Sequence, residues 1–501
     1  MALRVLVVNF AGETVFGPEV FERPLLGGQL LASVRAVVAT SFKLVHGLDI
    51  VADRRPIEVG DDDEQIVVNI VFVSLTVVSW GNADYGGDSS AVAERLSQGV
   101  ISVTASLWAF AALKLTGEVV TWGHAHYGGD CRAVADRLVG GVVAITGNCR
   151  GFAALTDVGG VVTWGEGCDC SAVADRLACG VVSIAGVDGA FAAINHNRAF
   201  AAIKDTGSVV TWGPAEPGGD SKSVADRLAG GVVSITGTEA AFAALKDTGS
   251  VVTWGLALCG GDSRAVADRL SGKVVSITAT YQAFAALKDT GEVVTWGGNG
   301  GDSSAVADRL ASGVVSITGA TVAFAALKDA GSVVTWGNQG QGGDSRAIAD
   351  RLVGGVVSIA ATHQAFAALK DTGSVVTWGN PVQGGDSSAV ADSLVSGVVS
   401  ITRSALAFAA LKDSGSVVTW GHGGDITAVA VADRLAGGVV SIAGTVSAFS
   451  AVKDTGEVVT WGNPFNGGDS STVADHLAAG VVSICGATAG AFAAWKDVRT
   501  G

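Results

Sequence analysis

Three sets of side chains in this chain are of types that do chemistry. Cys168, Asp169 and Cys170 stand together, with Cys179 nearby; closely spaced thiolates are zinc ligands. His124 and His126 share one turn, and His363 and His422 lie elsewhere; an imidazole beside a hydroxyl or thiol serves as a catalytic base. Asp88, Asp130, Asp220, Asp262, Asp302, Asp344, Asp386, Asp425 and Asp469 each follow a Gly-Gly pair, and a circle of carboxylates binds cations or a basic partner.

None of these sets completes a site. Zinc needs four ligands, with cysteine pairs commonly two residues apart; here the spacing is one and a fourth ligand is missing. No serine or cysteine stands by a histidine in a repeated or distinctive setting, so triad chemistry has no support. The aspartates read as turn or helix caps. No Gly-Lys-Ser/Thr phosphate loop is present, and the glycine pairs do not open a helix after a parallel strand. We therefore expect no catalytic residue, no metal and no cofactor. Asp-Arg pairs such as Asp136-Arg137, Asp226-Arg227, Asp268-Arg269, Asp308-Arg309 and Asp350-Arg351 suggest a ladder between neighbouring units, interrupted at Ser393 and His476. Exposed pairs of this kind contribute about 0–1 kcal/mol each.

These residues all sit on a recurring frame. A unit of roughly forty-two residues repeats ten times, a period that marks stacked or circular arrays. Its clearest copy runs from Val232-Val233-Ser234-Ile235 through Ala241-Phe242-Ala243-Ala244-Leu245-Lys246-Asp247-Thr248-Gly249 to Val251-Val252-Thr253-Trp254-Gly255. The first run reads as a buried strand, because it is rich in β-branched residues. The second strand carries small alanines, which permit close approach of neighbouring sheets. Asp-Thr-Gly is hairpin chemistry, with Gly at positive φ. The third strand ends in Trp-Gly. The Ala-Val-Ala-Asp-Arg-Leu segment reads as a short helical turn or as an outer fourth strand. Trp80, Trp122, Trp164, Trp212, Trp254, Trp296, Trp336, Trp378, Trp420 and Trp461 occupy one repeat position and are expected in the core between units.

Three or four short antiparallel strands per unit point to propeller blades. The repeat region opens on a lone third strand, Val77-Val78-Ser79-Trp80-Gly81. It ends on lone first and second strands, Gly480 to Ile484 and Ala491 to Asp497. Pairing the two ends completes a blade and removes two exposed edges. The expected fold is mainly β: a large propeller of about ten blades closed by its N- and C-terminal strands, with an open spiral as the alternative.

Ala-Leu-Lys-Asp-Thr-Gly-Ser-Val-Val-Thr-Trp-Gly-Asn resembles the repeat of the regulator-of-chromosome-condensation family. The short unit is closer still to the bacterial β-lactamase-inhibitor propellers of that superfamily. The resemblance covers residues 75–501 and implies a β-propeller that binds proteins across one ring face. The chain departs from the family in its Gly-Gly-Asp-Ser turn, in lacking a histidine before the Ala-Leu strand, and in having ten units where seven are usual.

Residues 1–74 do not repeat. Strands at 3–10, 14–21, 42–45 and 66–72 and a helix at 25–39 follow in an order that resembles the ubiquitin-like β-grasp domain. Without a terminal Gly-Gly, conjugation chemistry is not implied; a small α+β cap or docking module is.

The chain of 501 residues carries a formal net charge of −15. An acidic surface repels phosphate backbones, which disfavours nucleic acid and favours proteins with basic or neutral surfaces. Seven cysteines, an odd number in no repeated position, fit a reducing compartment such as the cytoplasm. The start lacks a signal-peptide pattern, and the most apolar run, 66–80, is too short to span a bilayer.

The reading these features favour is a non-enzymatic protein-binding scaffold. The turns after Trp-Gly vary while the strands do not, as expected where strands carry the fold and loops carry specificity. Candidate contact residues there are Asp84, Tyr85, His124, His126, Tyr127, Glu216, Leu256, Gln339, Gln341, Gln383 and Phe465. By analogy with exchange factors and inhibitor propellers, the alternative is a regulator of a nucleotide-binding or hydrolytic enzyme. A catalytic or carbohydrate-binding propeller is a weaker third.

Overall fold

The computed structural model describes residues 2–8, 14–22, 42–46, 49–50, 65–72, 75–186, 199–213, 220–423, 429–487 and 490–497. The helix expected at 25–39, Glu216 with its turn, residues 190–198 and Asp425 lie outside these residues.

The N-terminal part contains strands β1 (Ala2–Val8), β2 (Thr14–Glu22), β3 (Phe42–His46), β4 (Asp49–Ile50) and β5 (Gln65–Phe72). They form one sheet in the order β2-β1-β5-β3-β4. In it β1 runs antiparallel to β2 and parallel to β5.

Residues from 75 onward form ten three-stranded antiparallel units, here called blades 1 to 10 in the order of their tryptophans from Trp80 to Trp461. Blades 1 and 2 are joined into one six-stranded sheet by a bridge between Leu75 and Val100. Blade 1 takes Val481–Ala487 and Ala491–Asp497 from one end of the repeat region and Leu75–Gly81 from the other. Phe492 pairs with Trp80 and Ala494 with Val78. Phe284 and Trp296, and Ala286 and Val294, pair in the same register within blade 6. The two ends therefore complete a blade as expected.

The apolar clusters close the circle. Ten of them each join two neighbouring blades. Ten blades in an open spiral would have nine such junctions. Trp80, Val458, Leu477 and Phe492 join blade 10 to blade 1, and Val77, Ala493, Phe110 and Trp122 join blade 1 to blade 2. The fold is a closed ten-bladed propeller.

Strand periodicity explains the residue choice. Side chains alternate between the two faces of a strand, and the middle strand of a blade has a neighbour on each. In blade 5, Phe242 and Ala244 enter the cluster shared with blade 4, whereas Ala241, Ala243 and Leu245 enter the one shared with blade 6. There the alanines meet Phe284 and Trp296. Small residues on one face thus receive the stacked rings of the next blade. The Phe–Trp pairs recur around the ring at centroid separations such as 5.2 Å in blade 6 and 5.4 Å in blade 1. The ten indoles are buried, as expected.

The first strand departs from expectation. Only its leading valine is buried; Val233 is 57% exposed and Ser234 is also exposed. A bulge between Val232 and Ser234 leaves Val233 without a partner. The strand is also a sheet edge, with no strand of its own blade on its far side. First strands of successive blades lie against one another around the whole ring, so they form its inner wall. The segment between third and first strands is short helix, mostly 3-10, and not a fourth strand.

The arginine ladder also needs correction. Arg227 does not bridge to a neighbouring aspartate but donates to the Val251 carbonyl at 2.9 Å; Arg137, Arg309 and Arg351 reach Val161, Val333 and Val375 likewise. Where a glutamate starts the third strand, the arginine pairs with it too, as Arg269 does with Glu292 at 2.8 Å. The guanidinium is long enough to reach the third strand of the blade that follows, whose backbone carbonyl offers a fixed acceptor.

Loop length controls a buried hydrogen bond. The Trp296 Nε1–H donates to the Gly260 carbonyl at 3.0 Å, and Trp122, Trp164, Trp378 and Trp420 find the matching glycine in the preceding turn. The turns after Trp164, Trp296 and Trp420 are short. The next indoles, Trp212, Trp336 and Trp461, bury Nε1–H without an acceptor. Replacing Gly298-Asn299 with Asn-Pro-Val-Gln, the residues at 380–383, should stabilise the protein by about 1–3 kcal/mol, the usual cost of an orphaned buried donor. Urea unfolding checks this.

Candidate protein-binding face

Each blade has two ends. In blade 5, Ala241 pairs with Gly255, so the turn before the second strand and the turn after Trp-Gly share one end. The Asp-Thr-Gly hairpin lies at the other, where Gly249 has φ +74° and an added Cβ would sit 2.4 Å from the Lys273 backbone nitrogen. That second end is built nearly alike in every blade. The first end is not.

Two turns build the variable end. After Trp-Gly comes a 3-10 turn, such as Ala83–Tyr85, Ala125–Tyr127, Ala257–Cys259, Pro381–Gln383 or Pro464–Asn466. Asn82, Asn380 and Asn463 cap theirs by accepting from the N–H two residues on. The turn between first and second strands is closed by a Ser or Thr hydroxyl that accepts the Ala N–H, as Ser106 does from Ala109 and Thr238 from Ala241, both at 3.1 Å. Backbone bonds tie the two turns together: the N–H of His124 donates to Trp108, of Leu256 to Ala240, of Asn380 to Gln364 and of Asn463 to Ser447. Others link blades: the N–H of Glu239 donates to Tyr281, Tyr281 to Thr321, Thr321 to His363 and His363 to Ala405. The variable side chains thus stand on a rigid platform.

The expected contact residues separate by position. Asp84, His126 and Phe465 are middle residues of their turns and are exposed, Phe465 by 78%. Leu258 and Val382 occupy the same position and are 73% and 64% exposed. Leu256 is 38% exposed. Gln339 is exposed, whereas Gln341 and Gln383 bury their Oε1 atoms beside the frame. Tyr85, His124 and Tyr127 are half-buried in one aromatic cluster.

That cluster contains Trp108, which the repeat pattern did not single out. Tyr85 stacks on Trp108 at 4.9 Å, Tyr127 lies at 4.2 Å from it, and His124 at 5.4 Å. His126 is 5.8 Å from His124. The Arg150 guanidinium lies 5.3 Å from the Tyr127 ring centroid and pairs with Glu166 at 2.7 Å. Glu239, whose carboxylate accepts from the Tyr281 hydroxyl, and His363 also belong to this face. The signal for these residues is the doublet before each second strand: Leu107-Trp108, Cys149-Arg150, Glu239-Ala240, Tyr281-Gln282, His363-Gln364. It varies as much as the turn after Trp-Gly.

The other candidates are placed as follows. Asp88 Oδ1 accepts from the Ser90 N–H at 2.8 Å, and Asp130, Asp220, Asp262, Asp302, Asp344, Asp386 and Asp469 repeat the bond. They cap turns, as expected. The bonds from Arg132 to Asp130 and from Arg264 to Asp262 hold each carboxyl at about 2. Cys168 and Cys170 are buried in the cluster between blades 3 and 4, and Cys179 is exposed. Among the described residues no group of three or more His, Cys, Asp or Glu could hold a metal ion, and no helix is long and apolar enough to cross a membrane.

His363 gives the face a pH dependence. Burial first, and the charge of Arg403 second, push it from 6.5 down to about 4; burial also pushes Arg403 down to about 10. Between those two values for His363 the unfolded chain binds a proton that the folded chain does not. Its stabilising effect is therefore full above pH 6.5 and is lost as pH falls toward 4. The expected loss is about 1–3 kcal/mol. Urea midpoints measured across that range should flatten in His363→Gln.

No protein-family model matches the chain, and no curated protein sequence matches it. Solved structures similar to it include the ectodomain of the Physcomitrella patens receptor kinase CR4, at 18% identity and TM-score 0.32, over 56% of this chain and 74% of that one. Prp20p from Saccharomyces cerevisiae, studied for its binding to Gsp1p and histones, is similar at 15% identity and TM-score 0.34, over 85% and 92%. Yeast RCC1 (Prp20) bound to Kap60 gives 15% identity and 0.35, over 85% and 89%. At these values none of them carries a partner or an activity to this chain.

Proposed function

We propose that this chain is a non-enzymatic scaffold that binds proteins through the variable end of its ring. One observation carries the reading: both turns that differ between blades lie at the same end, tied together by backbone hydrogen bonds that recur among the described blades. Uniform strands make the frame, and the side chains that differ make an addressable surface. Leu258, Val382 and Phe465, each more than half exposed, supply apolar contact area where a solvated loop would carry polar residues. The net charge of −15 suits basic or neutral partner surfaces in a reducing compartment.

Residues 1–74 form, in this reading, a separate ubiquitin-like docking module ahead of a regulator-of-chromosome-condensation-like propeller at 75–501. Its mixed sheet supports this: the parallel β1–β5 pair needs a crossover connection rather than a tight hairpin. Replacing the variable turns of all blades with the Asn-Pro-Val-Gln turn and an Ala-Ala doublet should abolish cross-linking to partners without lowering the melting temperature. Retained partners would sink the proposal. Nucleotide-release or inhibition assays on the captured partners test regulation of an enzyme.

A further inference from the structure

The face is not uniform. The chain has three tyrosines and twelve tryptophans, and ten of the latter are blade core. Two of the tyrosines, Tyr85 and Tyr127, meet Trp108 in the cluster on blades 1 and 2. Phe465, 78% exposed, stands on blade 10, the next blade round the ring. Elsewhere the corresponding doublets hold one further tyrosine, Tyr281 on blade 6, and are otherwise small, polar or aliphatic, as in Thr321-Val322 or His363-Gln364. Half-buried Trp, Tyr and Arg side chains packed against one another are the composition of an interface anchor, being large, rigid and amphipathic.

Charge indicates what the anchor meets. On blades 10 and 1, Asp84, Asp88 and Asp469 are exposed, and none is in an ion pair among the described residues. Asp88 accepts from the Ser90 N–H and Asp469 from the Ser471 N–H. On blades 2, 5 and 7 the equivalent carboxylates are neutralised by Arg132, Arg264 and Arg346 at 2.6, 2.6 and 2.7 Å. Arg150, the cation within the cluster, is already paired with Glu166. On its blade 10 and blade 1 side the aromatic arc is therefore flanked by uncompensated negative charge, which Asp302 and Asp386 also carry on blades 6 and 8.

We infer that the arc from Phe465 through Tyr85, Trp108 and Tyr127 is the principal anchor of the ring, and that it receives a basic protein segment carrying an apolar side chain. This rests on the binding face proposed above. The apolar side chain lies against the Trp108 cluster, and its flanking lysines or arginines face Asp84, Asp88 and Asp469.

The test uses the full chain and three labelled pentapeptides, with fluorescence anisotropy as the readout. One has four lysines around a central phenylalanine, one has serine in place of that phenylalanine, and one has glutamates in place of the lysines. The first should bind, the second about tenfold more weakly, and the third not at all. Trp108→Ala and Tyr127→Ala should each weaken the first at least tenfold, in line with about 1.4 kcal/mol per decade. Asp84→Asn with Asp88→Asn should weaken it severalfold and reduce its salt dependence. Trp108→Phe guards against misfolding and should retain most of the affinity. Equal binding of the acidic peptide overturns the inference, as does unchanged affinity in both aromatic variants. Two controls separate the claims. Binding lost only on changing Gln339, Val382 and Leu258 leaves the face reading standing and removes the anchor. Binding lost only on changing Asp247 and Asp329 at the opposite end removes both.

Discussion

Deleting residues 491–501 should make the protein aggregate or exchange strands between copies. The deletion removes the middle strand of blade 1, which pairs with Leu75–Gly81 on one side and Val481–Ala487 on the other. Phe492 goes with it, a fully buried ring stacked on Trp80. Truncating one such Phe costs about 3–5 kcal/mol by itself, in a fold whose whole stability is of order 5–15 kcal/mol. The deletion cuts further, because Ala491 and Ala493 belong to the cluster with blade 2 while Phe492 and Ala494 belong to the cluster with blade 10. Two junctions are lost together and two strand edges are exposed, each a template for pairing with another chain. Sedimentation velocity reads the outcome, and adding the excised strand as a peptide should restore the sedimentation of the full chain. Unchanged sedimentation with an unaltered urea midpoint would show that the circle is not closed by this strand.

The second large effect is expected at Trp296. Its indole is 5% exposed, stacks on Phe284 at 5.2 Å, packs on Ala241 and Ala243 of the preceding blade, and donates Nε1–H to Gly260. Trp296→Ala leaves a cavity between blades and should destabilise the protein by about 3–5 kcal/mol. Trp336 occupies the same position but lacks the indole hydrogen bond. Trp336→Ala should therefore cost about 1–3 kcal/mol less, the usual cost of an orphaned buried donor. Urea unfolding of both variants measures the difference. Equal losses would mean that the glycine carbonyl contributes nothing beyond packing.

Much of the frame was legible from particular residues. Gly249 marked the hairpin, the Phe–Trp spacing marked the core, and the unmatched strands at 77–81 and 491–497 marked the closure. The first two are local patterns that recur from unit to unit, and repetition makes a weak signal unambiguous; the third is legible because the recurring unit shows what each end lacks. The binding face was half legible. The turns holding Tyr85, Tyr127 and Phe465 could be found, because they follow an invariant Trp-Gly. The doublets holding Trp108 and Arg150 are not legible, because each directly precedes an apolar strand and reads as part of it. Only in three dimensions does each lie beside the turn that follows Trp-Gly, some fifteen residues along the chain.

Order along the chain thus determined the blade, its core residues and the circular arrangement, since all three follow from strand periodicity and from apolar area that a single unit cannot bury. The tertiary structure alone decided which end of the ring varies, that the first strand is a half-exposed inner wall, and that Arg227 and its counterparts grip backbone carbonyls in the third strand of the blade that follows. These depend on which strands lie side by side after folding, and distances between separate strands leave no trace in local sequence.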